Sequence, residues 1–297
     1  MAVRCPAGAG DLIITYGTNT PDWNAKLGIS GMRGGCSLEP EVCVKNAEVS
    51  AKSQHVNRYY VTMQLDPKTA TMYAARFAVL SRTHPTLYEI DIDDFVNQYT
   101  HLADNFSVDN PYDLVDSVIT AVKSGSANLR FGITLYEDEL TSSLLSDASL
   151  PLPIREKVDT VHLYLHYRGN ADNYDSYVNE AQVIFPKSVI IGGSYAYDRI
   201  DYVPCYQGAD IKCSVEEEFD LFRDSLRTQV RLLHDHRIAG IEFYPASFGA
   251  EARWYGWSNS KICAAERKSR CIDNTVRMRN MVLQYITEVQ PRVAPRD

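Results

Sequence analysis

Short runs of apolar and β-branched residues recur along the chain, each closed off by turn residues. They span 12–17, 59–65, 87–92, 129–136, 161–167, 188–193 and 238–244. Runs of this length, apolar on both faces, are what strands covered on both sides require, as in a parallel sheet. Helical periodicity lies between many of them. Residues 112–123 place Leu114, Val115, Val118, Ile119 and Val122 on one stripe. Residues 215–236 do the same with Phe219, Phe222, Leu226, Val230 and Leu233, and open with Glu216, Glu217 and Glu218, acids that suit a helix N-terminus. Residues 274–289 form a last amphipathic stretch. Strand and helix in alternation predict βαβ units. The expectation is an α/β chain, residues 1–297 forming a single (β/α)8 TIM-type barrel with disulfide-stapled loops. Residues 252–257 supply an irregular eighth strand, and residues 17–57 form a loop-rich insertion on the rim.

Composition narrows the function. Forty-five per cent hydrophobic residues over 297 positions are ample for one large core. A net charge of −8 argues against a nucleic-acid partner, which a basic surface would serve. No run of about 18 apolar residues is present, so no membrane span is expected. Six of the seven cysteines fall into local couples, Cys36 with Cys43, Cys205 with Cys213 and Cys263 with Cys271, leaving Cys5 over. Three such staples predict an oxidising compartment. The reading is a secreted protein whose native leader is not part of this sequence, since Met1-Ala2-Val3-Arg4 lacks the apolar stretch of a signal peptide. Asn105-Phe106-Ser107 is a glycosylation sequon.

In a barrel, chemistry gathers where strands end and βα loops begin. Acids and tyrosines dominate those points. Glycoside hydrolysis needs two carboxyl groups, one protonated for the leaving oxygen and one ionised. Glu242 lies inside an apolar run, where a lone carboxylate is costly, and Glu137 closes the best-formed run. One acid of Glu137-Asp138-Glu139 is expected to face the mouth, and Glu242 with one of the Glu137-Asp138 pair, Glu137 preferred, is the expected catalytic couple, supported by Asp93 or Asp94, with Asp94 and Asp198 as the next pair. Tyr16, His166, Arg168, Tyr197, Tyr244 and Trp254 are expected to bind substrate. No cofactor or metal is expected. The cysteines lack zinc-ligand spacing, no H-x-H pair occurs, no strand interior carries a lysine for Schiff-base chemistry, and no glycine-rich phosphate loop follows a strand.

The stretch from Leu80 to Pro85 (LSRTHP), then IDIDDF from Ile90 to Phe95, with the later FGITLYEDEL, IIGGSYAYDR and AGIEFYP, resembles a little-characterised family of bacterial barrel proteins with a strand ending in Asp-Asp-Phe. The likeness covers roughly residues 60–260. It implies a glycoside-hydrolase-like (β/α)8 fold more firmly than a substrate. Acids after the fourth and seventh runs are similar to the large retaining clan of glycosidases, although Tyr136 stands where that clan has asparagine. The leading expectation is therefore a hydrolase of oligo- or polysaccharides. The alternative is a catalytically inactive barrel that binds glycan or a protein partner. The sugar, the linkage, the stereochemical outcome and the oligomeric state are not legible.

Overall fold

The computed structural model describes residues 12–16, 21–105, 110–196, 204–206, 213–244 and 268–289. Eight parallel strands close into a barrel in chain order: β1 (Leu12–Tyr16), β2 (Gly31–Gly35), β3 (Arg58–Met63), β4 (Leu87–Ile92), β5 (Arg130–Tyr136), β6 (Thr160–Tyr164), β7 (Val189–Tyr195) and β8 (Gly240–Tyr244). Strand β8 pairs with β1 and completes the ring, with Ile14 opposite Glu242. The outer ring includes α1 (Pro21–Leu27), α2 (Pro40–Gln54), α3 (Ala70–Ser81), α4 (Phe95–Asn105), α5 (Pro111–Gly125), α6 (Leu152–Arg155), α7 (Tyr174–Ile184), α8 (Val215–His234) and α9 (Lys268–Val289). The fold is a (β/α)8 barrel.

The barrel has the eight strands expected, but their numbering was off by one after the first, and β2 is the reason. Its sequence, Gly31-Met32-Arg33-Gly34-Gly35, has no β-branched residue, yet both neighbours hold it, through Ile14 opposite Gly31 and Arg33 opposite Tyr60. A strand inside a closed barrel is defined by two ladders, which outweigh its own propensity. Residues 17–57 are therefore not a loop-rich rim insertion: they hold α1, β2 and α2. The barrel closes through β8 without the stretch 252–257, which lies outside the described residues.

Alternation along the strands makes two cores. Outward side chains such as Val61, Ile90, Phe131, Ile133, Val161, Ile190 and Phe243 are buried under the helices and form the main hydrophobic cluster. The predicted stripe of α5 is its packed face, with Val115, Val118, Ile119 and Val122 buried. Helix α8 starts in a capping box: Ser214 Oγ accepts from the Glu217 N–H at 3.2 Å and Glu217 accepts from the Ser214 N–H at 3.3 Å, worth about 1 kcal/mol. Inside the barrel the apolar layer shrinks to Ile14, Tyr60 and Ile191. Polar side chains fill the space above it.

Two of the predicted disulfides are present, Cys36–Cys43 and Cys205–Cys213, with Cα atoms 5.8 and 5.0 Å apart. Each closes a short loop, worth about 2–3 kcal/mol in chain entropy. Cys263, and with it the third pair, lies outside the described residues, as does Cys5. The two bonds fit an oxidising environment. No helix among the described residues is long and apolar enough to cross a membrane.

Candidate active site at the barrel mouth

Five strands end in the same residue type. Tyr16, Tyr136, Tyr164, Tyr195 and Tyr244 are the last residues of β1, β5, β6, β7 and β8. Neighbouring rings meet edge-on or tilted, Tyr16 with Tyr244 at 5.2 Å, Tyr244 with Tyr195 at 5.7 Å, Tyr195 with Tyr164 at 5.1 Å and Tyr164 with Tyr136 at 6.4 Å. Such geometry suits aromatic quadrupoles, and the result is a belt around half the mouth. Tyr164 fits because its neighbour on β7 is Gly193, where a Cβ would come within 2.2 Å of the Tyr164 ring. Acids face the belt. The end of β4 delivers Asp93 and Asp94, and the single turn after β5 delivers Asp138 and Glu139. Together with Arg33, Asn97, Thr134 and His166 they enclose a cavity of about 710 Å³.

Asp94 has a left-handed backbone, φ 47°, which aspartate tolerates better than most residues. Its carbonyl accepts from the Gln98 N–H at 3.0 Å and so starts α4. Its side chain turns to the cavity, where Oδ1 accepts from the Tyr136 hydroxyl at 2.6 Å; that hydroxyl lies 2.9 Å from the one on Tyr195. Burial pushes the Asp94 carboxyl up, and the Tyr136 hydrogen bond opposes the rise. Burial raises Glu139 to about 7; a hydrogen bond from the Tyr136 N–H works against this, and the charges of Asp138 and Asp94 add to it. Asp93 accepts from Arg33 at 3.2 Å and from the Tyr16 hydroxyl at 3.4 Å. Asp138 Oδ2 lies 3.3 Å from His166 Nδ1. Three buried polar atoms of the lining have no partner among the described residues: Arg33 Nε and, as a donor and an acceptor, the Tyr164 hydroxyl and Asp138 Oδ1. An unmatched buried polar group costs roughly 1–3 kcal/mol, and a ligand that both accepts and donates hydrogen bonds satisfies the last two.

One layer beneath lies a buried ionic lattice. Arg33 binds Asp91, Thr134 and Glu242, the last at 3.3 Å. Glu242 Oε2 lies 2.6 Å from His162 Nδ1, and His162 Nε2 lies 2.8 Å from Glu89 Oε1. Thr160 donates to Glu89 at 2.6 Å. Glycine makes room here too: a Cβ on Gly132 would stand 2.3 Å from the Glu89 carboxylate. Burial alone would raise Glu242, but the charges of Arg33 and His162 outweigh it and hold the carboxyl at about 2. Burial alone would lower His162, but Glu242 above all raises it to about 9. Asp91 goes the other way, burial lifting it to about 6 against the pull of Arg33.

The expected residues thus part company. Asp93, Asp94, Tyr16, His166 and Tyr244 meet around the cavity. Glu242 is fully buried in the lattice below, not in the lining. Glu137 points the other way, accepting from the backbone N–H groups of His166 and Tyr167 and from Asn170 at 3.0 Å, so it pins the segment after β6. The pairing of Glu137 with Glu242 across one cleft is not formed. Arg168 is buried against Glu218 at 2.8 Å and stacks on Phe222, away from the lining. Asp198, Tyr197 and Trp254 lie outside the described residues. Arg33, Thr134, Tyr136, Tyr164 and Tyr195 were not foreseen as site residues, and Glu139 was among the strand-end acids but not the one preferred; of these tyrosines only Tyr136 closes an expected run, since β6 and β7 end at Tyr164 and Tyr195 and not at 167 and 193. Among the described residues, the one close group of metal-ligand types is Cys205, Cys213 and Glu217, whose cysteines are bonded to each other.

No protein-family model and no curated protein matches the sequence. Solved structures do match the fold. A GH18 chitinase from Pseudoalteromonas aurantia superposes with a TM-score of 0.55 at 12% identity, covering 84% of this chain and 99% of its own. A GH113 β-1,4-mannanase gives 0.55 at 6% identity, covering 94% and 98%. A GH18 chitinase from Cycas revoluta in complex with (GlcNAc)4 gives 0.50 at 10% identity, covering 92% and 99%. These likenesses establish a barrel of the kind glycoside hydrolases use, and the fold alone.

Proposed function

We propose that the chain is a glycoside hydrolase acting on an oligo- or polysaccharide, with Glu139 as proton donor, Asp94 as the ionised partner, and Asp93 in support. The carrying observation is that Glu139 and Asp94 line one cavity in environments that separate their roles. A carboxyl at about 7 is suited to giving a proton to a leaving oxygen at neutral pH. Tyr136 donates to Asp94 and favours its charged form. That charge is placed to meet the positive character of an oxocarbenium-like transition state. Facing them, the tyrosine belt offers flat amphipathic surfaces to sugar rings, and the unpartnered Tyr164 hydroxyl and Asp138 oxygen offer hydrogen bonds to sugar hydroxyls. The structural neighbours are chitinases and a mannanase, which makes chitin and mannan oligosaccharides the first probes. Secretion and glycosylation at Asn105 belong to the same proposal, supported by the two disulfides.

A polysaccharide panel with reducing-sugar detection finds the substrate. Glu139→Gln and Asp94→Asn then each lower turnover by about 10²–10⁴-fold with the fold intact. Near-normal turnover in both variants would overturn the assignment. Glycan binding without turnover of any substrate would instead support the inactive binding barrel.

A further inference from the structure

A second cavity of about 320 Å³ lies beside the first, and Asn97 belongs to both linings. Its other walls are Gln64, Leu65, Asp66, Gln98 and His101, from the segment after β3 and the first two turns of α4. From these facts we infer that the second cavity is a subsite for a further sugar unit of the same substrate, so that the enzyme acts on chains extending from the acid cavity toward β3; this inference rests on the proposed glycosidase function.

Three observations carry it. The two cavities are neighbours that share Asn97 as a lining residue, which places them within reach of one chain. The second is held in fixed register with the first: Gln98 Oε1 accepts from the Leu65 N–H at 2.7 Å, while its Nε2 donates to the Asp93 carbonyl at 2.6 Å. One amide thus ties the floor of the second cavity to a carboxylate-bearing residue of the first. A preformed site of this kind avoids an ordering cost on binding. The chemistry of the lining also suits sugar hydroxyls. Gln64 and Asn97 are exposed, and among the described residues their side-chain amides have no hydrogen-bond partner. An amide both donates and accepts, as a hydroxyl does. Among the described residues the lining has no tyrosine, phenylalanine or tryptophan, in contrast to the first cavity; its one ring is the His101 imidazole. Recognition there rests on hydrogen bonds rather than stacking, and it adds affinity for a correctly placed second unit.

Titration calorimetry tests this with manno-, chito- and cello-oligosaccharides of two to six units, on the wild type and on Gln64→Ala and Gln64→Trp. Gln64 lines only the second cavity, and Trp fills it. The expected result is a step in affinity of about three- to tenfold at the length that first reaches the second cavity, the worth of one net hydrogen bond. Gln64→Ala reduces that step and Gln64→Trp abolishes it, while the shortest binding ligand keeps its wild-type affinity. A length profile without a step, a step that survives Gln64→Trp, or no binding at any length would overturn the inference. Turnover is measured on the same oligosaccharides and judges the glycosidase function separately. A step in affinity without turnover sinks that function and leaves the subsite. Turnover with a flat affinity profile does the reverse.

Discussion

Glu242 and Asp94 are both carboxylates that strands bring to the barrel interior, one layer apart, and the two layers treat them in opposite ways. In the lower layer Glu242 has two cationic neighbours, Arg33 and His162, and no solvent; its charge is locked in and its carboxyl sits at about 2. In the upper layer Asp94 and Glu139 have neutral tyrosine and other acids around them, and burial pushes both up. Depth alone therefore does not make a barrel carboxylate reactive. The balance between burial and the charges of its neighbours decides whether it can exchange a proton in the working pH range, and Asp91, lifted by burial to about 6 beside Arg33, shows that one cation need not win.

Breaking the lower layer is expected to have the largest effect. Arg33→Met removes the one guanidinium that meets Asp91, Asp93 and Glu242. Leaving buried carboxylates uncompensated costs about 3–5 kcal/mol. Urea denaturation measures it, and a loss below about 1 kcal/mol would mean that the lattice is not held by Arg33.

A crossed pair of variants sharpens the contrast. Glu242→Gln keeps the shape but removes the charge shared by Arg33 and His162, and is expected to lower stability by roughly 1.5–3 kcal/mol, the worth of hydrogen bonds to charged groups. Glu139→Gln removes a proton donor from the cavity and is expected to lower turnover with stability within about 1 kcal/mol of wild type. If Glu139→Gln proves the less stable and Glu242→Gln the less active, the roles of the two layers are reversed.

The sequence carried the barrel because seven of its strands are written in β-branched and aromatic runs. Strand β2 escaped notice because Gly31, Gly34 and Gly35 read as a turn, and Arg33 went with it. That single omission moved Glu137 and Glu242 to strands 5 and 8 of the actual barrel, away from positions 4 and 7. The acids after β4 are Asp93 and Asp94 instead. Alternation was legible in Leu87-Tyr88-Glu89-Ile90-Asp91-Ile92, but alternation gives the face and not the depth. Glu89 and Asp91 occupy the buried layer, and Asp93 reaches the cavity. The fate of Glu137 was hidden for a different reason. Its partners are backbone N–H groups about thirty residues away, at His166 and Tyr167, which no local pattern encodes.

The two layers also predict a stability profile with two falling limbs. Glu242 is lowered to about 2 from roughly 4.3 in the unfolded chain. Its contribution is present above the unfolded value and lost as pH falls toward 2. His162 is raised to about 9 from roughly 6.5. Its contribution is present below 6.5 and lost as pH rises through 9. Glu139 and Asp91, raised to about 7 and about 6, oppose folding once charged, so they steepen the decline on the alkaline side from roughly pH 4 upward. Melting temperature measured from pH 2 to 10 is expected to peak near pH 4, and Glu139→Gln to flatten the decline between about pH 4 and 7 without touching the acid limb. A profile level from pH 5 to 9 contradicts the charge assignments in both layers.

The smallest expected effect isolates the upper layer from the lower one. The Tyr164 hydroxyl is buried in the lining with no partner among the described residues, directly above the lattice that holds Glu242. In the free protein it makes no hydrogen bond that Tyr164→Phe could remove, and deletion of an unpaired buried hydroxyl relieves a desolvation cost. The variant is therefore expected to be as stable as wild type, or more so by up to about 1 kcal/mol. Its ring still packs on Tyr195 and over Gly193, so the belt keeps its shape. With a sugar bound, the same hydroxyl has an acceptor, and its loss is expected to weaken binding by about three- to tenfold, the worth of one net hydrogen bond. Stability and affinity thus move in opposite directions in one variant. A structural tyrosine would lose stability without losing affinity, so thermal denaturation and oligosaccharide titration of Tyr164→Phe, read together, decide whether this layer is built for the fold or for the ligand.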